Sequence, residues 1–292
     1  MTGRILEGVL APVTTPFDPS GAVALGPAVE NAKRLLEQGL AGLVSGGSTG
    51  EAPLLEADEQ RRLVAALRPV VPRDRWLIAG TGAESTRATI ALTQAAAAEG
   101  ADAVLVRPPG YYSPALDADA VGAHFQAVAD ASPIPVLLYN IPKYTHFPLP
   151  VSLLQRLAAH RNVIGIKDSS GDRANLAAYR EAVPAWTVLV GSGSLLLYAL
   201  ELGCAGGICG VACYAAPLAV QVIAAFRRND RDQAATLQTR LGTLDKEIVS
   251  RHGPSGIKVA MEIVGLYGGP VRAPLAELAA PDRQRIAGLL AA

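Results

Sequence analysis

Three short runs bring together residue types that can do chemistry on a carbonyl: Gly46-Gly47-Ser48-Thr49-Gly50-Glu51, Tyr139-Asn140-Ile141-Pro142 and Gly165-Ile166-Lys167-Asp168. Lys167 is the most informative residue. It directly follows the apolar run Val163-Ile164-Gly165-Ile166, whereas a surface lysine normally keeps its head in water. One reading is a Schiff-base nucleophile, because an amine attacks a ketone only when neutral and poor hydration disfavours the ammonium form. The other is a strand-end lysine paired with Asp168 or Glu51, since unpaired buried charge is rare. Lys143 is the competing lysine, but it lies beyond Pro142 in what reads as an exposed loop. Tyr139 also closes an apolar run. A buried tyrosine is commonly core with one satisfied hydrogen bond. Beside a Schiff-base lysine it becomes an acid/base for carbinolamine collapse and enamine formation.

The first run fits G-x-S-x-G, the nucleophile elbow of serine hydrolases. That motif needs a helix starting at the serine and a late histidine partner. Here Pro53 intervenes, and His160 and His252 fall in or beside helical stretches. The run is better read as an anion cradle, in which glycines admit close backbone approach and Ser48 and Thr49 offer donors to a carboxylate. Gly191-Ser192-Gly193-Ser194 precedes a helical stretch and could take a phosphate or simply cap that helix. No histidine or carboxylate spacing matches a metal site.

These residues need elements to hold them. A helical stretch, a glycine, a short link and an apolar run recur at Glu37-Gln38-Gly39, Glu99-Gly100 and Glu201-Leu202-Gly203. Glycine just past a helix end takes the left-handed conformation that stops the helix. The apolar runs are continuous, as in strands buried on both faces of a parallel sheet. Strands are expected near Val9–Val13, Leu43–Ser45, Trp76–Ala79, Ala103–Val106, Pro135–Tyr139, Val163–Lys167, Val188–Gly191 and Gly207–Cys209. Helices are expected near Ala28–Gln38, Asp58–Val70, Ser85–Glu99, Asp117–Ala131, Val151–Ala159, Arg173–Ala182 and Ser194–Leu202, with Ser85 and Asp117 as N-caps. Eight alternating units predict an α/β fold, a (β/α)8 TIM barrel over residues 1–215, followed by a helical region over 216–292. The rival, an open doubly wound sheet, lacks its glycine fingerprint after the first strand. In such a barrel the active site lies at the carboxyl ends of the strands, where all the runs above fall.

The totals bound the rest. In 292 residues, 50% are hydrophobic, and 26 basic residues balance 26 acidic ones, which excludes a disordered chain and gives no basic face for nucleic acid. Cys204, Cys209 and Cys213 form no C-x-x-C pair and read as buried thiols of a reduced compartment. Residues Met1 to Gly8 lack the apolar stretch of a signal peptide, and no run is long enough to span a membrane. A cytoplasmic enzyme with no nucleic-acid or membrane partner is expected.

The three runs, in this order, resemble the dihydrodipicolinate synthase/N-acetylneuraminate lyase family, over nearly the whole chain. The resemblance implies a class I aldolase or lyase acting on 2-oxo acids, without cofactor or metal, as a homo-oligomer (tetramer or dimer). It implies that Lys167 is the Schiff-base lysine and Tyr139 the acid/base. Ser48 would sit in the proton relay and Thr49 would hold the substrate carboxylate. Tyr112 would reach into a neighbouring subunit's site, and the Ile208 carbonyl would face the 2-oxo acid. Gly47 and Gly191 complete the expected substrate-binding set.

One departure matters. The family's synthases carry an arginine two residues after the proline of Tyr-Asn-x-Pro, where this chain has Tyr144 after Pro142-Lys143, although Lys143 could partly substitute. The stretches Ala79–Thr86 and Gly268–Leu275 look closer to 4-hydroxy-2-oxoglutarate aldolases. The expected reaction is therefore cleavage of a 4-hydroxy-2-oxo acid to pyruvate and an aldehyde. Alternatives are condensation of pyruvate with aspartate semialdehyde, a non-catalytic 2-oxo-acid binder, and, more distantly, a serine hydrolase.

Overall fold

The computed structural model describes residues 4–291. Residues 1–3, which open the run read for a signal peptide, and residue 292 lie outside the described residues. In order come β1 (Gly8–Pro12), α1 (Leu25–Glu37), β2 (Gly42–Ser45), α2 (Ala57–Leu67), β3 (Trp76–Gly80), α3 (Thr86–Ala98), β4 (Ala103–Val106) and α4 (Ala118–Ala131). They are followed by β5 (Val136–Asn140), the one-turn α5 (Pro142–Thr145), α6 (Val151–Leu157), β6 (Val163–Asp168), α7 (Arg173–Ala182), β7 (Thr187–Val190), α8 (Leu196–Glu201) and β8 (Gly206–Ile208). The eight strands pair in sequence order into a closed, all-parallel barrel. Closure places Leu10 of β1 opposite Gly42 of β2 on one side and Ile208 of β8 on the other.

Two-residue alternation divides each strand between two cores. Leu10, Val44, Ile78, Leu105, Leu137 and Leu189 pack together inside the barrel. Their neighbours Val9, Leu43, Leu77, Val104, Leu138 and Val188 pack under the surrounding helices. The predicted caps form: Ser85 accepts the Ala88 N–H at 3.1 Å and Asp117 accepts the Ala120 N–H at 2.7 Å, contacts worth about 1 kcal/mol each. Gly39, Gly100 and Gly203, which follow α1, α3 and α8, have φ of 89°, 90° and 78°.

The boundaries of these strands and helices fall within three residues of expectation. The stretch expected as a helix from Ser194 opens as a 3₁₀ turn, Gly193–Leu195, before α8. The Ser194 N–H is held by the carboxylate of Asp245 at 3.1 Å.

After β8 follow α9 (Ala216–Arg227), α10 (Arg231–Leu244), a π-helical stretch (Asp245–Ser250), α11 (Arg251–Ile263) and α12 (Ala280–Ala291). Helix α9 packs on β1 as the eighth helix of the ring. Inside α11, Gly253 has φ 58° and ψ −140° ahead of Pro254, so the helix is kinked there. Among the described residues no helix is long and apolar enough to cross a membrane. All three cysteines are free and buried, and burial pushes the thiols of Cys204 and Cys213 up to about 11 and about 12.

Candidate active site

Strands β5 and β6 run side by side with Tyr139 opposite Lys167 and Asn140 opposite Asp168. Lys167 has the same parity as Gly165, on the inward side of β6, while Ile166 turns out under the helices. The Lys167 side chain is buried at 5% exposure, with its Nζ 4.3 Å from the centre of the Tyr139 ring. Among the described residues no carboxylate oxygen lies within 4.0 Å of that Nζ. Both proposed partners are engaged elsewhere. Asp168 accepts from Asn140 Nδ2 at 2.7 Å and from the Ser170 N–H and hydroxyl at 3.1 and 2.9 Å. Glu51 pairs with Lys258 at 2.6 Å. The structural-pair reading of Lys167 therefore fails.

A cavity of about 280 Å³ opens at this end of the barrel. Its walls bring together Lys167, Tyr139, Ser48, Thr49, Ile208 and Gly191, contributed by the ends of five strands. The turn after β2 uses its carbonyls internally: Gly47 O accepts from the Gly50 and Ala52 N–H groups at 3.0 and 3.2 Å, and Ser48 O from the Glu51 N–H at 3.2 Å. That leaves the Ser48 and Thr49 hydroxyls, both on the cavity wall, for a ligand. Gly47 shapes the turn through its carbonyl and is not among the residues of the cavity wall. Gly191 owes its lack of a side chain to packing, since a Cβ there would fall 1.8 Å from the Ser169 hydroxyl.

Two of the lesser alternatives gain no support. Among the described residues no histidine lines this cavity, and His146, which shares the adjoining cavity with Ser48, makes no hydrogen bond to it. The loop 191–194 is closed to a phosphate, because the Asp245 carboxylate already takes the Ser192 hydroxyl at 2.8 Å and the Ser194 N–H at 3.1 Å. Burial holds that carboxyl above the usual carboxylate range, against the hydrogen bonds from Ser192 and Ser194.

Tyr112 lies outside its own chain's cavity. It is 71% exposed and packs edge-to-face on Tyr111, which is 79% exposed, with ring centres 4.9 Å apart. The loop is fixed from below, where Glu84 accepts the Gly110 and Tyr111 N–H groups at 2.9 Å each and pairs with Arg107 at 2.9 Å.

Lys143 and Tyr144, which the resemblance sets where the family's synthases place arginine, are both exposed and line the cavity rim. Burial and the neighbouring Tyr139 raise the Tyr144 phenol above its ordinary range. The far wall comes from the C-terminal helices: Asp245 and Val249 from the π-helical stretch, and Gly253, Pro254 and Ile257 from α11. The Gly253-Pro254 dipeptide was the available signal for a break in that helix.

The model of the dihydrodipicolinate synthetase family matches residues 5–292. An uncharacterized DapA-like lyase of Halobacterium salinarum is 37% identical over 288 residues, covering 98% of this chain and 93% of the relative. A 4-hydroxy-tetrahydrodipicolinate synthase of a Synechococcus strain is 36% identical over 286 residues, covering 97% and 94%. Among solved structures, YagE, a prophage protein of the dihydrodipicolinic acid synthase family from E. coli K12 in complex with pyruvate, superposes with a TM-score of 0.93. It is 30% identical, over 99% of this chain and 98% of that one.

Proposed function

This chain belongs to the dihydrodipicolinate synthetase family, and from that premise we propose that it is a class I pyruvate lyase cleaving 4-hydroxy-2-oxo acids, with 4-hydroxy-2-oxoglutarate as the reference substrate. The observation that carries the reading is a buried lysine with no carboxylate partner among the described residues, set opposite a tyrosine in a cavity that also presents two hydroxyls. The pyruvate complex of the solved relative supports the 2-oxo acid half.

In the forward direction Lys167 Nζ adds to C2 of the substrate, whose carbonyl oxygen departs as water once protonated. Ser48 and Thr49 hold the carboxylate. Tyr139 takes the proton of the C4 hydroxyl, the C3–C4 bond breaks into the protonated imine, and an aldehyde leaves. The resulting enamine gains a proton at C3, and hydrolysis returns pyruvate and the free lysine. The step depends on imine electron withdrawal and on placed donors, both stronger in a cavity poor in water.

A second reading, condensation of pyruvate with aspartate semialdehyde, is favoured by the Synechococcus relative's name and by Lys143 at the rim. The two separate on one assay. With Tyr144 where the family's synthases place arginine, a charge-assisted contact worth about 1.5–3 kcal/mol is missing, or roughly ten- to a hundredfold. Efficiency with aspartate semialdehyde should accordingly fall below that for cleavage of 4-hydroxy-2-oxoglutarate. Condensation at the higher kcat/KM would overturn the primary reading and establish the second.

The same proposal includes a cytoplasmic homo-oligomer, dimer or tetramer, in which Tyr112 enters a neighbour's cavity. Two adjacent tyrosines exposed on a fixed loop support it. Lys167→Ala and Tyr112→Phe, each inactive, should complement when refolded together, because some mixed assemblies regain one complete site. Hetero-oligomers verified by mass but showing no recovered activity would sink the shared site. A division into barrel and helical region also belongs to this reading, and the ring position of α9 argues for drawing it after Arg227 rather than at 215/216.

A further inference from the structure

We infer that Glu51 is a positioning residue, which through the buried cation of Lys258 holds the Ser48–Thr49 turn in the geometry that grips the substrate carboxylate. The inference rests on the reading of that turn given above. Glu51 ends the turn in a left-handed conformation, φ 57°, which a non-glycine residue keeps only when its surroundings enforce it. What enforces it comes from the other end of the chain. The Glu51 and Lys258 side chains are 0% and 2% exposed, with Nζ and Oε1 2.6 Å apart. Oε2 of Glu51 accepts the Arg272 N–H at 2.8 Å.

Lys258 is held in turn. Its Nζ donates to Pro270 O at 2.6 Å and lies 4.4 Å from the centre of the Phe17 ring, and the Arg272 guanidinium lies 4.3 Å from the same ring. Arg272 is itself fixed by a two-pronged pair with Glu59 at 2.6 and 2.7 Å. On the barrel side, Thr15 Oγ1 donates to Gly50 O at 2.6 Å. The turn is thus clamped from both flanks. Lys258 follows directly on Ile257, a cavity-wall residue, so one turn of α11 both lines the site and sets its carboxylate grip.

A pair that served the fold alone would, when cut, lower the amount of folded enzyme and leave the remainder normal. A pair that positions the turn shows in the folded fraction. Glu51→Gln keeps the shape and an acceptor for the Arg272 N–H but loses the charge, and Lys258→Met keeps length without the cation. Each should raise the half-saturating pyruvate concentration for borohydride-trapped imine on Lys167 by about tenfold, while the limiting trapping rate changes less than about threefold. The double variant, which leaves no uncompensated buried charge, should fall well short of the product of the single effects. Lys258→Arg should restore most of the affinity.

Thr49→Val marks the underlying reading. If it leaves pyruvate half-saturation unchanged, the carboxylate assignment of the turn fails. If Thr49→Val weakens pyruvate while folded Glu51→Gln and Lys258→Met do not, the assignment stands and the clamp is overturned. Single and double variants that all fail to fold, with Lys258→Arg failing too, would make the pair a requirement of the fold at large and equally overturn it.

Discussion

Replacing Lys167 by arginine is expected to abolish turnover, by about four to six orders of magnitude, even though a cation of similar length remains at the barrel mouth. The guanidinium stays protonated at any working pH and cannot add to a carbonyl, so the variant separates nucleophile from mere charge. Loss of a covalent nucleophile has costs of this size elsewhere, since the steps it replaces have no comparable uncatalysed route. The direct check is chemical. Borohydride added to the wild-type protein with pyruvate should fix a reduced three-carbon adduct on the peptide carrying Lys167, and none on Lys167→Arg. An adduct on Lys143, or residual turnover within about tenfold of wild type, would reassign the chemistry.

Tyr139→Phe is expected to lower kcat by about 10²–10⁴-fold, the usual worth of a positioned acid/base, with little loss of stability. The ring is 5% exposed and packs with Leu137, Ile141 and Leu189 in the inner core. The phenylalanine keeps those contacts and the approach of Lys167 Nζ to the ring face. Only the hydroxyl goes. Imine trapping with pyruvate should slow as well as aldol turnover, because the same hydroxyl serves carbinolamine collapse and the C4 proton. Thermal unfolding within a few degrees of wild type, together with unimpaired turnover, would remove Tyr139 from the mechanism and leave it a core residue.

The parts of this site that could be read from sequence were those carried by the strand code. Continuous apolar runs located all eight strands, and two-residue alternation then required Lys167 to point where Gly165 points. Tyr139 followed from the same rule, and both sit at strand ends because the runs stop there. What escaped was set by register between distant segments. By sequence Glu51 is a candidate partner for Lys167, and nothing in its neighbourhood reveals that Lys258 reaches it. Asp245 carries no motif either. Its role appears only because a π-helical stretch brings it under the loop after β7. Gly253, Pro254 and Ile257 bear no reactive group, so residue type does not mark them as part of a site although they form one wall of the cavity. Lys143 was placed correctly as exposed, but exposure and access to the cavity proved compatible at a rim.

The tie between Glu51 and the backbone of Arg272 spans 221 positions, and its consequence lies in the order of synthesis. A ribosome adding about 5–20 residues per second needs roughly 10–40 s to travel that distance. In the later part of that interval the lysine, the tyrosine and the hydroxyl turn have all been synthesised, yet the turn has no clamp and the far wall of the cavity is still incomplete. Catalytic competence is thus among the last properties the nascent chain acquires, and a half-made barrel meets cellular 2-oxo acids without a finished grip on them.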